Sequence, residues 1–356
     1  MPKTLRRKKE LSSHGKKINL KGAAAAVLFA AALAYYLFFV YLPSSRDKAI
    51  PPGSAEISFI DVGQGDAALI RTPEGCLVID TGPRDSADRL VAYLKNEGIK
   101  KIDMLFISHA DEDHIGGASA LLGAFGVGAV YVPDINSGAP NFLLMKETAH
   151  ARGTDVREAT AGTSFSLGGM SAAVISPFLP LPEDENEGSL VMVLTLGAVR
   201  ALFTGDLGTA GESLLLERYR LPDGSAGGRP LSDGSRTGFP RCDILKVGHH
   251  GSATSTSRLF AEAVSPSFAV ISCGKNNRFG HPHAGTLLVL RSVGAGILRT
   301  DRDGTVVLMT DGQTVGVKSP AAAEAAAAGC GGICHMPGIS TPVLRRRSRR
   351  ELRSCS

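Results

Sequence analysis

The run His109-Ala-Asp111-Glu-Asp113-His114 places four metal-ligand side chains directly behind an apolar, strand-like segment, Ile102-Asp-Met-Leu-Phe-Ile107. A strand that stops in a tight loop can fan such side chains inward around adjacent cations. Neutral imidazoles and carboxylates are the donors that hold Zn2+ or Mn2+. A solvated acidic turn with two histidines is the plainer alternative, but polar residues recur where later apolar runs end. Val199–Gly205 is followed by Asp206, and Asp243–Gly248 by His249, His250 and Ser252; Ser267–Gly274 leads to Asn276, Asn277, His281 and His283. Two adjacent cations need more groups than one loop supplies, and a carboxylate such as Asp206 can bridge both. Paired cations also lower the pKa of a shared water toward neutrality. Such a chain must therefore fold so that several strand ends converge on one centre.

The intervening pattern suits that demand. Glu56–Asp61, Ala67–Arg71 and Cys76–Asp80 read as strands, separated by Val62-Gly-Gln-Gly-Asp66 and a Pro-Glu-Gly turn. Ser86 opens a helix through Asn96 that Gly98 closes, and 115–125 is a short helix with Ile115, Ala118, Leu121 and Leu122 inward. Further strands fall at 129–132, 170–175, 189–196, 199–204, 243–247 and 267–272, with helices at 209–219 and 284–292 and a last hairpin at 296–317. Residues 221–241, rich in Gly, Pro and Ser, look like an exposed insertion. Two strand-rich halves interleaved with helices predict an α/β fold, a four-layer αββα sandwich with two sheets face to face. Gly63, Gly65 and Gly82 are read as positions of positive φ or close backbone approach. Asp61 and Asp80 either close turns or serve the site. Cys76 and Cys273, inside apolar runs, read as core thiols.

The two ends differ from this body. Residues 1–21 carry eight Lys/Arg and one acid, and 22–42 then run 21 residues without a charge, ending Tyr35-Tyr-Leu-Phe-Phe-Val-Tyr41. That length suits a membrane span of about 20 residues, and the basic flank predicts a cytoplasmic N-terminus. A buried core helix and a cleaved signal peptide are the rivals; the run exceeds the usual signal-peptide core, and no clear small-x-small site follows Leu42. The expected organisation is a basic N-terminus (1–21), a single anchor (22–42), a linker (43–55), a folded domain (56–318) outside the cytoplasm and a low-complexity basic tail (319–356). Cys330, Cys334 and His335 in that tail are a weak metal spacing. The net charge of +5 comes from the ends: without them, 25 basic and 31 acidic residues remain, a net −6. A dominant basic nucleic-acid footprint is therefore absent from the domain.

Seven pieces carry a resemblance: Phe59-Ile-Asp-Val-Gly-Gln-Gly-Asp66-Ala, Val78-Ile-Asp-Thr-Gly82, Ser108-His-Ala-Asp-Glu-Asp-His-Ile-Gly-Gly117, Asn186-Glu-Gly-Ser189-Leu-Val, Phe203-Thr-Gly-Asp206, Lys246-Val-Gly-His-His-Gly-Ser252 and Gly280-His-Pro282. Together they span residues 56 to about 310. The chain resembles the metallo-β-lactamase fold and, more narrowly, the extracellular hydrolase domain of ComEC, the competence DNA-uptake channel. The resemblance implies a two-metal hydrolase with Zn2+ or Mn2+. His109 and Asp111 would hold one cation, Asp113 and His114 the other, and Asp206 would bridge. Asp111 stands where the superfamily usually has a second histidine, which favours harder ions such as Mn2+. Asn186 stands where many relatives carry a third histidine, leaving it to bind weakly, touch substrate or open a coordination position. His281 lies near the last ligand position, and one of His249 and His250 would serve leaving-group protonation or phosphate contact. Asp113 is implied in catalysis, and Ser189, Ser252 and Asn277, with Asn186, in substrate contact. Ser252 could equally cap a helix beginning near Ser255, while Lys246 and Arg278 read as surface charges able to meet a phosphate.

The function expected on this basis is a membrane-anchored, single-pass hydrolase with an extracellular catalytic domain, cleaving phosphodiesters, DNA first among them. Nucleic acid or another phosphodiester would be its substrate and the DNA-uptake machinery a partner. Hydrolysis of a small ester or a β-lactam, and a degenerate domain that only binds, are the alternatives.

Overall fold

Alternation of side chains along the strands builds the layers. A computed structural model describes residues 20–35, 49–221, 229–233 and 235–319. These divide into two units, Met1–Ala49 and Ile50–Ser356. In the first, the helix α1 (Leu20–Tyr35) has 16 residues, about 24 Å at 1.5 Å per residue. No helix of the described residues is long and apolar enough to cross a membrane. Residues 36–42 of the expected anchor lie outside the described ones, as does the tail beyond Ser319.

In the second unit, an eight-stranded sheet runs β17 (Val315–Val317), β16 (Val306–Thr310), β1 (Ala55–Phe59), β2 (Ala67–Arg71), β3 (Cys76–Thr81), β4 (Lys101–Phe106), β5 (Gly126–Val132) and β6 (Asp155–Glu158). A seven-stranded sheet runs β15 (Gly296–Arg299), β14 (Phe268–Ile271), β13 (Ile244–Lys246), β10 (Val199–Phe203), β9 (Val191–Leu196), β8 (Met170–Ser176) and β7 (Ser164–Leu167). Successive side chains point to opposite faces of a strand. Ala68, Ile70, Leu77 and Ile79 therefore meet Met192, Leu194, Ala201 and Phe203 in the core between the sheets. Their neighbours Leu69 and Val78 face outward, under α2 (Ala87–Asn96), α4 (Ala118–Ala124) and α5 (Pro140–Ala151). Across the sandwich, Leu202, Leu245, Ala269 and Ile271 face the helices α6 (Thr209–Arg218), α7 (Arg258–Val264) and α8 (Ala284–Ser292). The result is the expected αββα order. Cys76 and Cys273 are buried, as their apolar surroundings predict.

Three expectations fail. Residues 296–317 are not one hairpin: β15 pairs parallel with β14 in the second sheet, while β16 and β17 pair in the first. The short helix α9 (Thr300–Asp303) carries the chain across, and period-two patterning cannot say which sheet a strand joins. The stretch 221–241 is not wholly exposed, because Leu231 and Phe239 are buried in the outer core of the second sheet. Ser252 does not cap the following helix; Ser257 does, accepting from the Phe260 amide at 3.3 Å. The elements α5, β6 and β7 were not anticipated; α5 nevertheless buries Phe142, Met145 and Ala149.

Candidate metal centre

Strand ends from both sheets meet at one edge of the sandwich. Asp66 ends the glycine turn before β2, and α3 (Glu112–Ile115) follows β4 and carries Asp113 and His114. Asp206 follows β10, and His249 and His250 follow β13. Each of Asp66, His114, Asp206 and His250 brings a ligand atom within 4.8 Å of the others, and all four residues are buried. His114 Nε2 lies 3.2 Å from Asp206 Oδ1. His250 Nε2 lies 3.1 Å from Asp113 Oδ2 and 3.4 Å from Asp206 Oδ2. His109 lies beside His114, its ring tilted by 49° with centroids 4.1 Å apart, and its Nε2 is 3.6 Å from half-exposed Asp111.

The backbone makes room for this convergence. A Cβ on Gly65, whose φ is +139°, would run into the Asp113 carbonyl and come within 2.9 Å of Pro83. Gly205, at φ +52°, sits 2.8 Å from the Ser108 Cβ by the same measure. Asp80, His249 and His250 adopt positive φ without being glycine, a strain of order 1 kcal/mol each that packing must hold. Asp80 uses it well. It accepts from the Ser108 amide and hydroxyl at 2.7 Å each and faces His114 Nδ1 at 2.9 Å. That contact keeps the proton on Nδ1 and leaves Nε2 open toward the centre. His250 is fixed likewise, by Nδ1 donating to the Ser272 carbonyl at 2.9 Å. We expect Asp80→Asn to lower cation affinity about 10–100-fold in a folded protein, measured by competition with a chromophoric chelator. Unchanged affinity would remove Asp80 from that role.

The donor set fits divalent cations. Asp66 Oδ1, His109 Nε2, His114 Nε2, Asp206 Oδ1 and His250 Nε2 are buried yet carry no hydrogen bond. They face one another at ion-pair distances without hydrogen-bond geometry, and a cation placed among them would give each a ligand bond instead.

Lys246, read as a surface charge, is instead buried at 4% exposure. Its ammonium pairs with Asp66, lies 3.8 Å from Asp206 and donates to the Gly205 carbonyl at 3.1 Å. Burial opposes charging of this group, but the carboxylates outweigh it and raise the Lys246 pKa. Burial likewise works against protonated His250, yet Asp206 and Asp66 lift it to about 10; His114 is raised in the same way by Asp206 and Asp80. Asp206 falls well below the usual carboxylate range because His114, His250 and Lys246 overcome its burial. Without cations, then, protonated imidazoles partly neutralise the carboxylates. A group whose folded pKa exceeds its unfolded value stabilises below the unfolded value and loses that contribution as pH rises through the folded one. The metal-free protein should accordingly lose thermal stability between about pH 6.5 and 10, and cation binding should tighten over that range as imidazole protons leave. A melting temperature that rises with pH over that range would refute this.

The other predicted residues divide. Ser189 Oγ accepts from the Asp206 amide at 3.1 Å. The side-chain oxygen of Asn186 is buried without a hydrogen bond. Asn277 donates to the Gly274 and His281 carbonyls and accepts from the Phe279 and His281 amides, so its carboxamide braces the His281 loop. His281 stands outside the four-ligand cluster, 5.8 Å from His249 between ring centroids, and its Nδ1 is also unpartnered. Ser252 Oγ contacts Thr254 Oγ1 at 3.0 Å. Asp61 accepts from the Gly63 amide at 3.1 Å, closing its turn. Sequence reasoning missed Asp66 and misjudged Lys246. The available signal was their position: Asp66 immediately precedes, and Lys246 ends, a strand whose residues are all buried.

Residues 60–275 match the family described as Metallo-beta-lactamase superfamily. The chain belongs to that superfamily. It is similar to ComE operon protein 3 of Bacillus subtilis, with 32% identity over 291 residues covering 76% of this chain and 34% of that protein. Competence protein ComA of Neisseria gonorrhoeae is 33% identical over 264 residues, covering 74% and 33%. The chain thus spans about a third of the length of these curated relatives. Among solved structures, the metallo-beta-lactamase fold protein YhfI from Bacillus subtilis aligns over 72% of this chain and all of its own, at 12% identity and a TM-score of 0.46. Within this metallo-beta-lactamase frame the ligand loop, the carboxylate after β10 and the histidines after β13 occupy one centre.

Proposed function

We propose that this metallo-beta-lactamase-superfamily hydrolase cleaves phosphodiesters, DNA in particular, outside the cytoplasm and tethered by its 22–42 segment. The observation that carries the hydrolytic centre is the set of buried ligand atoms without hydrogen bonds on Asp66, His109, His114, Asp206 and His250. With neutral imidazoles, the carboxylates of Asp66, Asp80, Asp111, Asp113 and Asp206 against Lys246 leave a net −4, the charge that two divalent cations cancel. Bound there, such cations supply Lewis acidity and hydroxide near neutral pH.

The chain's own residues divide the remaining work. Asp206 and His250 hold the centre from the second sheet and His114 from the first. Asp80 and Ser108 orient His114. His249 differs from His250: its side chain is 29% exposed and its Nε2 lies 3.7 Å from Asp206. It therefore meets substrate at the mouth and can pass a proton to the departing oxygen, whereas His250 is a ligand. Support for DNA rests on relatives named Competence protein ComA in Neisseria gonorrhoeae and Recombination protein 2 in Haemophilus influenzae, and a DNA-uptake assembly is the corresponding partner. The uncharged run and basic flank of the N-terminus support the tether.

The test strips the protein of metal, reloads it separately with Zn2+ or Mn2+, and offers single- and double-stranded DNA, with chelator as control. Cleavage that needs the cation carries the proposal. Two cations tightly bound without cleavage of either DNA would overturn the nuclease reading in favour of a smaller ester.

A further inference from the structure

A cavity of about 200 Å³ opens beside the ligand loop, with His109 and Ala110 on one side and Gly188 on another. Its walls are Val132 and Phe142 from the first sheet and α5, and Leu181 from the segment after β8. Asp134, Glu183 and Glu185 are also in the lining, and no lysine or arginine contributes. No hydrogen bond or ion pair engages the Glu183 or Glu185 side chain among the described residues. The cavity is therefore lined by apolar and acidic side chains together, and the buried His109 that belongs to the ligand loop forms part of that lining.

That lining is wrong for a phosphate. Like charges repel, and no cationic side chain is present to offset the carboxylates. A group entering it must be uncharged or cationic, present apolar faces, and offer hydrogen-bond donors to carboxylate oxygens. A nucleobase with an exocyclic amine meets all three conditions, since carboxylates accept from cytosine N4 and adenine N6 while the ring faces pack on apolar and aromatic side chains.

We propose that this cavity is a base-binding subsite, which takes one unstacked nucleobase of the strand whose phosphodiester lies at the metal centre. The link to cleavage rests on the phosphodiesterase reading; the binding does not. A base inside a duplex cannot reach such a cavity, so single strands are the preferred substrate. The lining carboxylates favour cytosine and adenine over thymine.

Two measurements separate the claims. Metal-free protein is titrated with cytidine, adenosine and thymidine by calorimetry or ligand-observed NMR, alongside Glu183→Gln and Asp134→Asn/Glu183→Gln. The amine-bearing nucleosides should bind roughly tenfold more tightly than thymidine, the lower range for a carboxylate paired with a base edge, and the carboxamide variants should level the difference. Metal-loaded protein is then given single-stranded oligonucleotides with and without one abasic position; the abasic strand should be cut more slowly on one side of the gap. Absence of nucleoside binding, equal binding of all three, or binding of a simple alkylammonium instead would each overturn the subsite. Nucleoside selectivity without any DNA cleavage would uphold the subsite and sink the nuclease reading.

Discussion

Replacing Asp206 by Ala should abolish cation-dependent turnover and remove cation binding while the sandwich still folds. Asp206 contacts His114, His249 and His250 and is one of the four buried residues whose ligand atoms converge at the centre. Losing several kcal/mol of transition-state charge stabilisation corresponds to about three orders of magnitude in rate. His114→Ala should behave alike, since its Nε2 is aimed into the same space by Asp80. The measurements are turnover with Zn2+ or Mn2+, cation stoichiometry, and far-UV circular dichroism to verify the fold. Retained turnover in both variants would refute the placement of the centre.

Lys246→Met is the second large effect, and it appears in stability. The ammonium is buried against Asp66 and near Asp206, so its removal leaves carboxylates uncompensated in the metal-free protein. Breaking a buried pair from one side typically costs about 3–5 kcal/mol, readable as a shift in denaturant midpoint at unchanged slope. Adding Asp66→Asn to Lys246→Met should recover much of that loss, because no uncompensated charge then remains at that pair. Cation loading should also narrow the gap, since the cation replaces the ammonium as the counter-charge. A single variant as stable as the parent would mean the carboxylates are solvated, contrary to their burial.

How much of this was legible beforehand follows from the range of each signal. The strands of the first half, the helix over 87–96 and the αββα order were readable because alternation and end signals act over a few residues. Strand membership was not: nothing within 296–317 distinguishes a hairpin from strands in different sheets, and only the pairing of β15 with β14 and of β16 with β1 settles it. The helix over 140–151 escaped because Leu143 and Leu144 are exposed, which blurs the apolar stripe that marks a helix. The ligand loop was visible as a dense run of donors, whereas Asp66 stands alone among glycines.

By itself, the sequence determined the chemistry available and where it sits along the chain. Imidazoles and carboxylates follow strand ends, glycines stand where the backbone must turn sharply, and apolar alternation demands two sheets. Tertiary structure decided which donors share a centre, because distances between residues 66, 114, 206 and 250 depend on how the two sheets stack. It also turned Lys246 from a surface charge into a buried counter-ion and separated His250 from His249. Burial and proximity between distant segments set those roles, and neither is a property of local sequence.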